Sequence, residues 1–318
     1  MTNNTELHLL PNITLNPLPL DLSSHTYFFE LTKLYCNANK ITEFVNLPPN
    51  LEILHCNDNE INELVNLSPS LKELNCSYNK INSLDNLPST LEVLYCNSNK
   101  IICLDNLPPS LKELFCKYNK INSLDNLPMA LEVLDCSNNQ LAALDNLPLT
   151  LKKLICECNK ITCLDNLPPA LEKLYCFHNQ LSSLDKLPPA LNILNCSDNM
   201  INTLNNLPIT LKKLNCCANT TNDIEFNNLP PTLEVLMCFN RVLEFATLPK
   251  TLKILYCGIN QLSALDNLPP TLEVLLCNTD TSTLTNLPPN LHVLFIDAFL
   301  NDDISELELE KYITKLMS

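Results

Sequence analysis

The chain has 318 residues, among them 23 Pro, 17 Cys, one Gly and no Trp, and its formal net charge is −15. Such an acidic balance repels phosphate backbones, which argues against a nucleic-acid partner. No run approaches the roughly 18 uninterrupted apolar residues of a membrane-spanning helix, and the N-terminus lacks the basic start of a signal peptide, so we expect a cytoplasmic protein that is neither secreted nor inserted into a membrane.

Three segments follow one another along the chain. Residues 1–30 carry a degenerate pattern of Leu and Pro, which predicts an N-terminal cap or a degenerate repeat, because solenoids need protected ends. Residues 31–299 contain about fourteen repeats of about 20 residues, and their spacing becomes irregular in the C-terminal third. Residues 300–318 follow the last repeat and are expected to form a C-terminal cap.

The consensus of the repeat is L-x-x-L-x-C-x-x-N-K-I-x-x-L-D-N-L-P-P-x. Its first part alternates inward and outward side chains, as in Leu111–Cys116, and predicts a short strand with Leu and Cys inside. The L-P-P junction opposes a helix, because proline lacks an N–H and pushes the preceding residue toward extended geometry. We expect an α/β-class solenoid with a parallel β-sheet on the concave face and a mostly extended, polyproline-like convex face.

Asparagine occupies the ninth position in ten consecutive repeats, from Asn39 to Asn219. An inward-turned amide offers two donors and an acceptor to backbone groups of its own turn and of the neighbouring repeat. This asparagine ladder predicts how regular turns form almost without glycine. A short capping helix is predicted at the C-terminal end, because four apolar residues there are spaced as on one face of a helix. They are Leu309, Tyr312, Ile313 and Leu316.

The pattern L-x-x-L-x-C-x-x-N-x-I/L-x-x-L-x-x-L-P, from about Leu31 to Phe299, is identified as a leucine-rich repeat. Its short length and L-P-P-x-L junction are similar to the LPX-type repeats of bacterial type III effectors, which have an aliphatic residue in place of Cys. The Cys row, the near-absence of Gly and the Asn-, Ile- and Lys-rich repeats resemble uncharacterised leucine-rich-repeat proteins of mimivirus-type giant viruses. The resemblance implies a curved binding scaffold, viral in origin, that acts in the interior of a host cell.

Catalysis finds little support in the sequence. The five His residues pair with no Ser or Cys in a nucleophile motif, and no phosphate-binding glycine loop occurs. Among effectors, those that act as ubiquitin ligases carry a separate catalytic domain, whereas about twenty residues follow the last repeat here. We therefore expect no enzyme and no cofactor.

Two rows of side chains raise the question of metal binding. Thirteen cysteines share the sixth repeat position, but a linear row does not converge as four zinc ligands must, so we expect core packing and no metal site. Cys158 and Cys217 fall at outward positions and are expected to be more reactive. A row of aspartates from Asp85 to Asp185 could hold calcium, or could consist of solvated or turn-capping carboxylates.

The second repeat position alternates in sign, from Glu52 and Lys72 to Lys152 and Glu172. In a parallel stack these residues become neighbours. The alternation therefore predicts a row of ion pairs between strands that fixes their register.

The outward side chains of the predicted sheet vary from repeat to repeat. Aromatic residues there indicate a surface for a protein partner, because exposed aromatics are enriched at interface hot spots. The candidate residues, in clusters around Tyr78–Tyr118 and Tyr175–His178, are Tyr78, Tyr95, Phe115, Tyr118, Tyr175, Phe177, His178, Phe239 and Tyr256. The alternative is that aromatic neighbours on adjacent strands only stabilise the sheet.

The sequence thus predicts a monomeric, non-catalytic protein-interaction scaffold whose concave face binds a host or viral protein. One alternative is a structural protein that self-associates or assembles into a virion. The other is an adaptor that presents a substrate to a separate ubiquitin ligase.

Overall fold

The computed structural model describes residues 5–11, 17–219, 228–238, 248–262, 267–279 and 287–296. The chain divides into two compact units, Met1–Asn159 and Lys160–Ser318. The predicted capping helix lies outside the described residues, and the described part of the chain contains no helix. Accordingly, no helix with the length and apolarity to cross a membrane is found in these ranges.

The described residues of the first unit form ten strands. They are β1 (Glu6–His8), β2 (Leu18–Asp21), β3 (Lys33–Tyr35), β4 (Ile41–Asn46), β5 (Ile53–His55), β6 (Glu73–Asn75), β7 (Val93–Tyr95), β8 (Glu113–Phe115), β9 (Val133–Asp135) and β10 (Lys153–Ile155). The short strands β2 and β4 pair with each other. The other eight form one parallel sheet in chain order, as the consensus predicts.

The described residues of the second unit form seven strands. They are β11 (Lys173–Tyr175), β12 (Ile193–Asn195), β13 (Lys213–Asn215), β14 (Val235–Met237), β15 (Ile254–Leu262), β16 (Val274–Thr279) and β17 (Val293–Ile296). They form a parallel sheet in chain order. The register between β15 and β16 shifts after Tyr256 and again after Gly258, which agrees with the loosened repeat spacing in this third of the chain.

The inward side chains form the core of each unit. In the repeat that begins at Leu111, the side chains of Leu114, Cys116 and Ile121 have no exposed surface. All thirteen cysteines of the sixth position are buried and carry free thiols. Burial raises the pKa of Cys76 to about 12. This thiol therefore stays protonated at neutral pH. The buried cysteines pack as small apolar side chains, which confirms the prediction of core packing.

Asn119 illustrates the asparagine ladder. Its Nδ2 donates to the carbonyl oxygens of Cys96 and Cys116 at 3.0 and 2.9 Å, and its Oδ1 accepts the N–H of Ile101 at 3.0 Å. The same bonds recur at Asn59, Asn79, Asn99 and Asn139. Each amide thus ties its own turn to the preceding repeat, as predicted.

The turn after the strand forms without glycine. Residues at the eighth repeat position have φ between 50° and 58° in ten repeats, from Ala38 to Ala218. This left-handed conformation is unfavourable for residues with a Cβ atom. The ladder amide that follows at the ninth position bonds the backbone on both sides of the turn, and we attribute the persistence of this conformation to those bonds.

Candidate protein-binding surface

The side chains of the third and fifth repeat positions lie on the side of each strand opposite the inward Leu and Cys. We call this side the outward face. In the first unit these side chains are half-buried on every strand from β5 to β10. Because the core lies behind the strands, the outward face of this unit is accessible to a partner.

Tyr95 and Phe115 stack on the outward face of the first unit. Their ring centroids are 4.6 Å apart and their planes differ by 8°. The two residues pair directly across β7 and β8, so the parallel register brings their side chains together. The structure therefore joins two of the predicted site residues in one half-buried stack.

Acidic side chains lie around this stack. The pKa of the Tyr95 phenol is raised by burial and, beyond that, by the nearby carboxylates of Glu73 and Glu113. Asp135 pairs with Phe115 and is thus the next fifth-position side chain in the row. The surroundings of the aromatic stack are therefore electronegative.

A half-buried ion pair lies at the seventh repeat position of the same unit. Lys117 Nζ and Glu157 Oε1 are 3.5 Å apart, although one whole repeat, with the small Ser137 at this position, lies between them in the sequence. Lys117 Nζ also lies 5.1 Å from the ring centroid of Tyr118. Burial raises the pKa of Glu157 in spite of this lysine. Lys117 is thus engaged with Glu157 and Tyr118.

Tyr78 and Tyr118 lie at the eighth position, in the turn after the strand. They are 58% and 52% exposed, and their φ angles are 55° and 56°. These rings project beside the outward face and not from its strands. Within the described residues, no ring contact joins them to each other or to the stack. The predicted Tyr78–Tyr118 cluster is therefore not a contiguous one.

The second predicted cluster is divided between two environments. Tyr175, on β11, is partly buried against apolar side chains of the second unit. Phe177 is half-buried, whereas His178 is exposed and its Nδ1 contacts the carboxylate of Asp198 in the next repeat. Phe239 lies outside the described residues.

Tyr256 and Cys217 are less accessible than their repeat positions indicated. They are 6% and 8% exposed, respectively. Both belong to an apolar cluster that further contains Ile193, Val235, Met237, Val274 and Leu276. The expectation that these two side chains are exposed is wrong, because apolar neighbours on adjacent strands pack around them. Burial also raises the pKa of the Tyr256 phenol. The exposed cysteines are instead Cys103 and Cys163.

One aromatic row was absent from the predicted site. His8 stacks on Tyr35 with centroids 4.5 Å apart, and Tyr35 meets His55 edge-on at 5.0 Å. His55 Nε2 lies 2.9 Å from Glu73 Oε1. Tyr35 and His55 share the fifth repeat position and could have been found from it. His8 lies in the degenerate segment before the repeats, where no periodic signal marks it.

The aspartate row is paired by asparagines of the following repeats. Asn106 Nδ2 donates to Asp85 at 2.9 Å, and Asn146 Nδ2 donates to Asp125 at 2.9 Å. Hydrogen bonds from Ser83 and then Asn106 lower the pKa of Asp85. Among the described residues, no group of three or more potential metal ligands lies close together. These contacts favour the turn-capping alternative for the row.

The alternating second position forms the expected ion pairs. Lys72 contacts Glu52 at 3.0 Å, and Lys112 contacts Glu92 at 2.7 Å. The same contact, also 2.7 Å long, joins Lys152 to Glu132. Each lysine therefore pairs with the glutamate of the preceding repeat, which supports the predicted role in register.

Short parallel strands, a Leu–Cys core and an asparagine ladder define a leucine-rich-repeat protein, and the chain belongs to this family. No family model and no curated protein matches the sequence. Among solved structures, the leucine-rich effector protein YopM from Yersinia pestis is 30% identical with a TM-score of 0.73, over 84% of this chain and 78% of that one. YopM from Yersinia enterocolitica WA-314 is 34% identical with a TM-score of 0.73 over 84% of this chain, which spans 60% of the length of that protein.

Two further proteins bear on the predicted resemblance. The functional domain of InlJ from Listeria monocytogenes, which includes a cysteine ladder, is 29% identical with a TM-score of 0.71, over 91% of this chain and 67% of that one. A cysteine ladder thus also occurs in a bacterial protein. CroV588, a giant-virus protein with a circular leucine-rich-repeat structure, shares the fold at 21% identity and a TM-score of 0.63, over 95% of this chain and 54% of that one.

Proposed function

We propose that the protein is a non-catalytic scaffold that binds a protein partner on the outward face of its first unit. The Tyr95–Phe115 stack carries this proposal, because two half-buried aromatic rings lie together on a face that the core does not use. Aromatic side chains grouped in this way are typical anchors of protein interfaces. Leucine-rich-repeat neighbours typically mediate protein–protein interactions, which supports the proposal.

We further propose that this scaffold acts inside a cell, and that it is a viral protein in the interior of its host. All seventeen cysteines are free, which suits a reducing compartment. The proposed viral origin rests on the resemblance of the Asn-, Ile- and Lys-rich repeats to giant-virus proteins.

Affinity capture from host-cell lysate tests the binding surface. The native protein is compared with the Tyr95→Ala/Phe115→Ala variant and with a control, Met129→Ala/Leu149→Ala. The control removes apolar side chains that are 69% and 65% exposed but lie outside the outward face. We expect the first variant to capture at least about tenfold less of a specific protein than the native chain does, whereas the control captures it normally. The circular dichroism of both variants should be unchanged.

Three outcomes would redirect the proposal. Capture of the same protein by all three chains would show that the stack is not the binding surface. Capture of only further copies of the chain would favour the structural or assembly role. Capture of a substrate together with a ubiquitin ligase would favour the adaptor role.

A further inference from the structure

We infer that the Tyr95–Phe115 stack receives an arginine side chain from a basic segment of the partner protein. The inference rests on the proposed function and adds the chemistry of the partner. It follows from the position of an aromatic stack among three carboxylates on one face, those of Glu73, Glu113 and Asp135.

The stack offers ring surface to a flat cation. The two ring planes are nearly parallel, so only one face of each ring is covered by the other ring. A guanidinium group stacks on such a face, and its attraction to the ring acts within about 6 Å of the centroid. The same unit already contains one contact of this kind, because Lys117 Nζ lies 5.1 Å from the centroid of Tyr118.

The carboxylates of Glu113 and Asp135 have capacity for a cation, whereas that of Glu73 already lies 2.9 Å from His55 Nε2. Among the described residues, the side chain of Glu113 makes no hydrogen bond or ion pair, and it lies on the same strand as Phe115. Asp135 Oδ1 accepts the backbone N–H of Ser137 at 3.1 Å and also the Ser137 hydroxyl, which leaves acceptor positions on Oδ2. Among the described residues, the ion pair of Lys117 is with Glu157 and not with these carboxylates.

Arginine fits this surface better than lysine does. Its fork of N–H groups bonds a carboxylate in two places while its plane lies on a ring, whereas an ammonium is a compact point charge. Val93 and Val133 flank Glu113 in the third-position row and offer apolar surface to the methylene stem. The net charge of −15 also attracts a basic partner at long range.

The first test measures binding of labelled peptides to the full chain by fluorescence anisotropy at physiological salt. The probe alternates Arg with Gly, and matched peptides carry Lys or Glu in place of Arg. We expect the arginine peptide to bind at least about threefold more tightly than the lysine peptide, and the glutamate peptide not to bind. Equal binding of the arginine and lysine peptides would overturn the inference, since it indicates attraction between net charges only.

The second test uses variants at the stack. Glu113→Gln and Phe115→Leu should each weaken arginine-peptide binding about tenfold, through loss of a carboxylate and of a ring face respectively. Phe115→Leu keeps an apolar side chain and so preserves packing. The control Glu63→Gln removes the same charge from an exposed position outside the outward face and should change binding less than about twofold. A loss of equal size in Glu63→Gln would contradict the proposed location.

The two levels of proposal fail differently. If the captured partner depends on Tyr95 and Phe115 but Glu113→Gln binds it normally and the arginine peptide does not bind, the arginine inference is wrong and the scaffold proposal stands. If capture is also independent of the stack, both are wrong.

Discussion

The two units share an inward face and differ in their outward face. Inward, both have buried Leu and Cys side chains and a row of ladder asparagines. Outward, the fifth-position residues Tyr95 and Phe115 of the first unit are half-buried among charged neighbours. In the second unit Tyr175 is also half-buried, but the fifth-position residues Met237, Tyr256 and Leu276 are 1%, 6% and 8% exposed.

This difference shows that the repeat determines the core but leaves the opposite side of the sheet to its variable positions. Parallel strands with apolar side chains on both sides are buried on both, whereas the outward residues of β5 to β10, several of them charged, stay partly exposed. Substitutions at the same repeat position therefore have different consequences in the two units. In the first unit they alter a surface, and in the second they alter a core.

The largest effect is expected where the two units are alike. Asn119→Ala removes four side-chain hydrogen bonds to backbone groups in the first unit, and Asn199→Ala removes four in the second. At about 1 kcal/mol for each bond, both variants should lose about 4 kcal/mol of unfolding free energy. Urea unfolding followed by circular dichroism measures the loss. A large loss in only one unit would show that the ladder does not support both.

A smaller and unequal effect is expected at the fifth repeat position. Met237→Ala opens a cavity in the apolar cluster of the second unit and should cost about 3 kcal/mol of unfolding free energy. Phe115→Ala removes a half-buried ring and one stacking contact in the first unit, and should cost about 1 kcal/mol. The same urea experiment measures both, and equal losses would remove the distinction between the two outward faces.

The inward half of the fold was predictable because it depends on spacing within one repeat. Cysteine recurs at the sixth position and asparagine at the ninth in almost every repeat, as in Cys116 and Asn119. A short strand, a core and a ladder therefore follow from the periodic pattern alone. The structure confirms all three at the level of individual bonds.

The outward half was less predictable because it depends on neighbours in other repeats. The burial of Tyr256 follows from its pairing with Met237 and Leu276 on adjacent strands, and the residue type alone does not reveal it. A sign was present in the third positions from Val235 to Val293, which form an uninterrupted apolar row with Ile254 and Val274 between them. Likewise, the identity of the aromatic residues did not show which rings stack, whereas the register of β7 and β8 does.

The smallest effect is expected from the burial of Glu157, at the seventh repeat position of the first unit. The side chain of Glu157 is 16% exposed, and burial raises its pKa in spite of Lys117. When the folded-state pKa is raised, stability falls as the pH rises from the ordinary glutamate value through the raised one, because the unfolded chain ionises first. The Glu157→Gln variant has no carboxyl group to ionise at this position, so its stability does not fall in this way. The variant should therefore unfold at a higher urea concentration than the native protein at neutral pH, and the difference should vanish below about pH 4.

Glu92→Gln is the matched variant with the opposite sign. The hydrogen bond from Lys112 lowers the pKa of Glu92, which lies exposed at the second repeat position. Its stabilising contribution is present above the ordinary glutamate pKa and is lost as the pH falls through the lowered value, so this variant should unfold slightly earlier than the native protein at neutral pH. If Glu157→Gln instead unfolded earlier than the native protein at neutral pH, the ion pair with Lys117 would outweigh the burial of Glu157.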